Sequence, residues 1–366
     1  MQRARRLTGE RMASDEEEDA APAEPSRRGL PEDAVAWGFR LLAGREPRDA
    51  REFASFRSQP DLNALRRAFT RTPEFHDFFD SVQTGFPAYR MPLFLLRPSE
   101  VEGLEWRFSS PDLEQPVSQL CTSSQFADPA YTEITEAMGF PAGRGRLRWE
   151  QSWIISVLAT EGMVAEGRRG LGLQVERERV ASLLASRGVE VLAANDEVAT
   201  AEAAETRRTW LFYPEVVHVE EFDRLIRFAG LDFQALGQMG GGFDFCWSIG
   251  ITSRLRSIEA TLAFIEASLA PLRPGGLALH TFAFNLASDQ ATLETRQAVL
   301  VRRRDIETLA ERLHKAGHRL LPFNTHPGHD RADERVRVEQ GGTPGHRQRH
   351  GNMVATSFGL AIRKAA

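Results

Sequence analysis

The sequence has little cysteine and no long apolar run. Cys121 and Cys246 are its only cysteines, and they lie far apart, so both are predicted to be reduced, buried thiols of a cytosolic protein. No stretch approaches the roughly 20 apolar residues that cross a bilayer. Basic and acidic residues nearly balance, 46 against 51, which gives no indication of binding to nucleic acid. We therefore expect a cytoplasmic protein without a membrane span.

The first 29 residues also lack structure-forming patterns. They begin with basic residues, but no apolar segment follows, so they do not resemble a secretory signal. An acidic run and repeated Ala-Pro spacing follow instead. This composition predicts that residues 1–29 form a disordered tail.

Residues 30–82 are predicted to form a small helical module. Apolar residues recur at helical spacing on two faces: Val35, Phe39 and Leu42, then Leu62, Leu65 and Phe69. The segments GFRLLAGREP and LRRAFTRTPEF resemble the phycobilisome-linker-like module that accompanies bacterial glycosyltransferases. The resemblance implies docking near glycan machinery, with a glycosyltransferase as partner. A helical packing domain without a partner is the alternative.

The rest of the chain is predicted to be a proline-rich connector followed by an α/β domain. Residues 83–146 show few periodic signals and are interpreted as extended. From residue 147 to 366, strand and helix patterns alternate, which indicates a parallel sheet covered on both faces. Strands are expected at about 170–175, 189–194, 243–248 and 276–282, with a C-terminal hairpin.

A ligand site is expected where the first two strands of this sheet end. Ligands of such sheets bind beyond the carboxyl ends of the strands. Gly170 and Gly172 stand where glycines let the backbone approach a ligand, and Asp196 follows the second strand about twenty residues later. This spacing predicts a nucleotide-type cofactor.

Longer segments resemble class I S-adenosylmethionine-dependent methyltransferases, and more closely a bacterial group associated with surface-glycan genes. The matching text includes QLCTSSQ, RWEQSWII, GRRGLGLQVERE, FDFCWS, PGGLALHTFAFN and TSFGLAI. The resemblance implies a Rossmann-like sheet of seven strands with the last one antiparallel. It also implies S-adenosylmethionine as cofactor and a small-molecule or glycan acceptor.

The predicted cofactor site departs from the family pattern. Gln174 and Glu176 replace two glycines of the first turn, and the family's ribose-binding aspartate falls on Asn195, with Asp196 one position late. Ser248, the last residue of FDFCWS, is a further candidate cofactor-binding residue. Side chains at the turn are expected to crowd the cofactor, and Glu176 is expected to repel its carboxylate. Loss of S-adenosylmethionine as a ligand is therefore the alternative to its binding.

Four further residues match family positions near the site. His280 is the candidate general base, with a hydrogen-bonded structural histidine as the alternative. Asn285 is a candidate substrate contact. Trp149 and Glu150 are candidate substrate-site residues that could form a lid over the cofactor, with helix packing as the alternative.

No metal site is predicted. His326, His329, His346 and His350 lie in an arginine-rich segment without cysteine, which we interpret as a solvated insertion. Two functional hypotheses remain. One is a working methyltransferase, and the other is an inactive pseudo-enzyme that serves as a binding or scaffold module.

Overall fold

The structure of the protein is a computed structural model, which describes residues 29–76, 92–196, 200–239, 241–296, 298–330, 332–336 and 345–366. The chain divides into two compact units, Met1–Gln83 and Thr84–Ala366. Most of the predicted tail and part of the predicted connector lie outside the described residues.

The first unit is helical where it is described. Its elements are α1 (Glu32–Gly38), a π-helical continuation (Phe39–Ala43), α2 (Ala50–Arg57) and α3 (Leu62–Phe69). The side chain of Asp61 accepts a hydrogen bond from the Ala64 N–H and so caps the start of α3. Phe39 and Phe69 pack edge-to-face in the core. Leu62, predicted to lie on the same buried face as Phe69, is 57% exposed.

The second unit is built on one large sheet. Its strands are β1 (Trp106–Arg107), β2 (Ser118–Leu120), β3 (Arg169–Leu173), β4 (Glu190–Asn195), β5 (Ile226–Gly230), β6 (Phe243–Ile249), β7 (Leu272–Asn285), β8 (Arg319–Leu320), β9 (Phe323–Asn324), β10 (Arg347–His350) and β11 (Met353–Arg363). The main order is β1-β9-β2-β11-β7-β6-β3-β4-β5, and β8 and β10 also pair with β11. Neighbouring strands from β7 to β5 run parallel, while β11 is antiparallel to β7. The predicted Rossmann-like α/β architecture with an antiparallel last strand is confirmed.

The helices of this unit lie along the chain between the strands. They are α4 (Leu93–Leu96), α5 (Pro129–Ala137), α6 (Arg146–Thr160), α7 (Val180–Ala185), α8 (Ala201–Leu211), α9 (Val219–Leu225), α10 (Thr252–Leu255), α11 (Ile258–Ala267) and α12 (Arg303–Lys315). Two separate apolar clusters cover the sheet, one with side chains from α6 and α7, the other with side chains from α11 and α12. Both faces are therefore buried, as the alternating pattern predicts.

The sheet is larger than the seven strands that the resemblance implies. Part of the difference comes from residues that the sequence predicts to form an extended connector. These residues form the helix α5, and they also add to the sheet the strand β2, which pairs with β11 through Leu120 and Phe358. The short strands β8 and β10 pair with β11 as well. A long last strand with eleven residues offers backbone hydrogen bonds to several short segments, which the periodicity of those segments does not reveal.

Helix α11 shows how the sequence pattern places an element. The hydroxyl of Ser257 accepts a hydrogen bond from the Ala260 N–H and caps its first turn. Its predicted inward positions are all buried, at 6% exposure or less: Ile258, Leu262, Ile265 and Leu269. The prediction that this face packs in the core is confirmed. Cys121 and Cys246 are buried too, as predicted.

Candidate functional site

A cleft opens at the carboxyl ends of β3 and β6, the edge where ligands bind in parallel sheets. Its volume is about 260 Å³, and Gln151, Gln174, Glu178 and Arg254 are among the residues that line it. Gln151 lies in α6, Gln174 and Glu178 follow β3, and Arg254 lies in α10. Polar side chains from three parts of the chain therefore meet where the sequence predicts a ligand.

Gln174 turns the chain out of β3 in a left-handed conformation, with φ at 58°. A residue other than glycine costs about 1 kcal/mol or more there, because its Cβ crowds the backbone. The Gln174 N–H donates to the Ala194 carbonyl at 2.7 Å, and the residue is only 6% exposed. The turn thus keeps a backbone shape that favours glycine, with an enclosed glutamine side chain at the cleft.

Gly170 and Gly172 do not have the role that the spacing predicts. Both lie inside β3, and a Cβ on Gly170 would come within 2.6 Å of the Phe245 ring. A Cβ on Gly172 would come within 2.7 Å of the Trp247 indole. The missing side chains make room for two aromatic rings of β6, so these glycines serve packing rather than ligand approach.

Asn195 and Asp196 stand at the end of β4, where the family resemblance places one ribose-binding aspartate. Asn195 is fully buried at the end of β4, and its Nδ2 donates to the Val175 carbonyl at 2.8 Å, which braces the turn after β3. Asp196 follows the strand, so the alternation of strand side chains no longer fixes its direction. Its carboxylate lies 3.5 Å from an Arg254 nitrogen, on the side of the cleft.

Arg254 joins the two acidic residues at the mouth of the cleft. Its guanidinium forms an ion pair with Glu176 and a longer one with Asp196. Glu176 was expected to repel the carboxylate of a cofactor, but the pair with Arg254 offsets its charge. These three side chains are each between one-third and one-half exposed, so the bridge is partly solvated. The three side chains narrow the cleft, and together they carry the net charge of one carboxylate.

Glu178 is a candidate functional residue that the sequence reasoning missed. It is 6% exposed, and its Oε1 accepts a hydrogen bond from the Trp247 indole N–H at 2.6 Å. Burial raises the pKa of Glu178 to about 8, against the opposing effect of this hydrogen bond. A carboxyl group that ionises near neutral pH in a cleft is suited to proton transfer. The contact joins residues 69 positions apart, so no local pattern could have identified it.

His280 is buried in the sheet domain with both ring nitrogens engaged. Nδ1 lies 2.8 Å from the Ser248 hydroxyl, and Nε2 lies 3.0 Å from the Ser268 hydroxyl. Ser268 donates to the Ile265 carbonyl, so it accepts from a protonated Nε2, while Ser248 donates to Nδ1. Burial lowers the pKa of His280 to about 3. This placement supports the structural alternative for His280 and Ser248 rather than contact with substrate or cofactor.

Trp149 and Glu150 are fully buried, so they do not form a lid. The Trp149 indole N–H donates to Gln125 at 3.0 Å. Glu150 accepts hydrogen bonds from Ser357 and from Arg146, and burial raises its pKa. The helix-packing alternative describes both residues, because α6 turns this face toward the sheet and not toward the cleft.

Asn285 shapes the turn that follows β7. Its Oδ1 accepts from the N–H groups of Ala287 and Ser288, and its Nδ2 donates to the Ala291 carbonyl at 2.9 Å. These bonds occupy both ends of the amide and form an Asx-type turn. Its contacts are therefore structural, and they do not bring it to the cleft.

The histidine-rich segment is more buried than a solvated insertion where the structure describes it. His346 Nε2 lies 2.8 Å from Asp333, which also accepts from Ser123. Arg347 is buried nearby and donates to the Pro327 carbonyl. Within the described part of the chain, no three His, Cys, Asp or Glu side chains are grouped as a metal site. The segment instead anchors the start of β10 through an Asp-His pair.

The strand order and the antiparallel last strand define the second unit as a Rossmann-like α/β domain. No helix among the described residues has the length and apolar character needed to cross a membrane. No protein-family model matches the chain, and no curated protein matches it.

Solved structures of methyltransferases do match the chain. One is a putative sarcosine dimethylglycine methyltransferase from Galdieria sulphuraria, 14% identical over 60% of this chain and 85% of that chain, with a TM-score of 0.40. Another is magnesium protoporphyrin IX methyltransferase from Synechocystis with S-adenosylmethionine bound, 14% identical over 66% and 94%, with a TM-score of 0.37. Both TM-scores are below 0.5, so neither likeness carries a conclusion about the site of this chain.

Proposed function

We propose that the chain binds S-adenosylmethionine in the cleft at the carboxyl ends of β3 and β6 and is a methyltransferase. The observation that carries this proposal is the left-handed turn at Gln174, with Asp196 following the neighbouring strand. A sharp turn after the first strand and a carboxylate after the second are the two features that hold a nucleoside in such sheets. Here both are present, although neither is made from the expected residue.

The residues present fit the cofactor provided that Arg254 moves. Ligand sites for molecules of this size occupy about 300–1,000 Å³, and the cleft is smaller, at about 260 Å³. Arg254 crosses its mouth through the contacts with Glu176 and Asp196. Because surface ion pairs of this kind contribute only about 1 kcal/mol or less each, a ligand can displace Arg254 at modest cost. Asp196 would then accept a hydrogen bond from the ribose.

The bound cofactor supplies a methyl group on a sulfonium, and the chain must align an acceptor with it and receive a proton. Glu178 is the cleft residue suited to the second task, because its pKa of about 8 lies near neutral pH. The Trp247 indole holds one carboxyl oxygen of Glu178 by a hydrogen bond, which fixes the orientation of the group. Glu178 thus takes the place that the sequence assigns to His280.

The acceptor class, the partner and the cellular location rest on the sequence resemblance. We propose a sugar or glycan intermediate of surface-polysaccharide metabolism as the acceptor. The helical module of the first unit would dock a glycosyltransferase in the cytoplasm. Trp37 and Leu41 of that unit are more than half exposed, which is compatible with a docking role for its apolar surface.

A second candidate function is an inactive binding or scaffold module. The observation that favours it is the bridge of Arg254 to Glu176 and Asp196, which satisfies the charges of the cleft without a ligand. In that case Gln174 and Glu176 close the site. Restoring the family pattern with Gln174→Gly, Glu176→Gly and Asn195→Asp would then improve cofactor affinity, because the Cβ atoms that crowd the turn are removed.

Calorimetric titration of the wild-type protein with S-adenosylmethionine distinguishes the two functions. We expect micromolar binding, and about fivefold tighter binding by Arg254→Met, because the two partly exposed ion pairs no longer have to be broken. Arg66→Met, at an exposed position of α3, serves as the control and should bind like the wild type. If neither the wild type nor Arg254→Met binds at millimolar cofactor, the methyltransferase proposal is wrong and the inactive module is favoured.

A further inference from the structure

We infer that the Gln174 side chain is a ligand-binding group, which reads a ribose hydroxyl of a ribonucleoside together with Asp196. This inference rests on the proposed function and assigns one interaction within the same cleft. It reverses the expectation that Gln174 obstructs the site. The ligand class that follows is an adenosine derivative with an intact ribose, rather than a deoxyribose or an acyclic analogue.

The orientation of the Gln174 amide is fixed by its neighbour. The Asp196 backbone N–H donates to Gln174 Oε1 at 3.4 Å. Since an N–H can only donate, the carbonyl end of the amide must face Asp196, and the NH₂ end must point away from that bond. The side chain is therefore held in one orientation next to the residue that is expected to bind ribose.

The NH₂ end of this amide lacks a partner. Gln174 Nε2 is buried and has no hydrogen-bond partner among the residues that the structure describes. Leaving a buried donor unpaired is unfavourable, so this group calls for an explanation, such as a partner supplied by a ligand. Gln174 also lines the cleft, so the covered Nε2 belongs to a side chain that borders the position of a ligand.

The two glutamines that line the cleft, Gln151 and Gln174, differ in how their amide groups are used. Gln151 lines the same cleft, but its Nε2 donates to the Leu147 carbonyl and its Oε1 accepts from the Arg179 N–H at 2.8 Å. Both ends of that amide are thus used within the protein. Of these two glutamines, Gln174 alone retains a donor for a ligand.

A ribose diol matches what Gln174 and Asp196 offer. Each hydroxyl can donate one hydrogen bond and accept others, so the Asp196 carboxylate can accept from the diol while Gln174 Nε2 donates to it. The left-handed backbone of Gln174 is a costly conformation for this residue type. Such strain at a ligand site is consistent with a side chain that is retained for its interaction.

The test titrates the wild type and Gln174→Met with S-adenosylhomocysteine and with its 2′-deoxy and 3′-deoxy analogues. Methionine keeps the length of the side chain but cannot donate. We expect the wild type to bind one deoxy analogue about tenfold more weakly than the intact ribose compound. Gln174→Met should bind the intact compound about tenfold more weakly and should lose that discrimination. Gln115→Met, at an exposed position before the start of β2 and at the opposite edge of the sheet, should behave like the wild type.

Three results would overturn the inference, and the first two leave the proposed function intact. An equal deoxy penalty in the wild type and Gln174→Met would show that another residue reads the ribose. Tighter binding by Gln174→Met or Gln174→Gly would show that the glutamine obstructs the site. In both cases cofactor binding itself stands. Failure of the wild type to bind any of the adenosine compounds would overturn the proposed function and this inference with it.

Discussion

Replacing Leu262 with aspartate is expected to lower the free energy of unfolding of the sheet domain by about 4 kcal/mol. Leu262 is 4% exposed and lies in the apolar cluster between α11 and the sheet. An aspartate there would lose the burial of the leucine and would place a carboxylate where the surrounding cluster is apolar. Urea unfolding followed by far-ultraviolet circular dichroism measures the change.

The matched control for this variant is Leu62→Asp. Leu62 is also a helical leucine, but it is 57% exposed, so the same substitution should change the unfolding free energy by about 0.5 kcal/mol or less. Near-wild-type stability of Leu262→Asp would show that α11 does not pack on the sheet as described.

The packing of α11 also shows which parts of the fold could be predicted from the sequence. Helix and strand periods are local properties, and burial of an apolar face follows directly from them. The sequence pattern could therefore predict the strands β3, β4, β6 and β7 and the antiparallel β11. The strand β2 was not, because three residues carry no periodicity and their pairing with β11 depends on a segment more than 200 positions away.

The candidate site was predictable in position but not in composition. The carboxyl ends of β3 and β4 are fixed by topology, so Gln174 lines the cleft and Asp196 lies beside Arg254, which also lines it. The role of Gly170 depends on the ring of Phe245 on a neighbouring strand. The role of Glu178 depends likewise on Trp247. Such side-chain contacts between distant segments are not visible in spacing, and they decide whether a glycine serves packing or binding.

The ion pairs of Arg254 show that the charges around the cleft also depend on contacts between distant segments. The sequence places Glu176 at the turn and predicts repulsion of an anionic cofactor group. The structure supplies a counterion from α10, 78 positions away. Because the sign of an electrostatic effect depends on all charges within several ångströms, the sequence alone does not give the charge balance of the cleft.

Glu178→Gln is expected to stabilise the protein at neutral and mildly alkaline pH. Burial raises the pKa of Glu178 from 4.5 to about 8 in the folded protein. Between these values the folded state keeps the proton that the unfolded state has released, so wild-type stability falls as pH rises through this window. Glutamine does not ionise, and its carbonyl oxygen can still accept the Trp247 hydrogen bond. The variant should therefore avoid this loss.

The test measures the difference in unfolding free energy between Glu178→Gln and the wild type. It should be small near pH 4.5, should grow to a few kcal/mol by pH 8, and should then remain constant, since both folded and unfolded wild type are ionised above that pH. Urea titrations at several pH values measure it, with Glu166→Gln, at an exposed position, as the control without this slope. A pH-independent difference would show that Glu178 is ionised in the folded protein, and the residue would then lose its assignment as the proton-transfer group of the cleft.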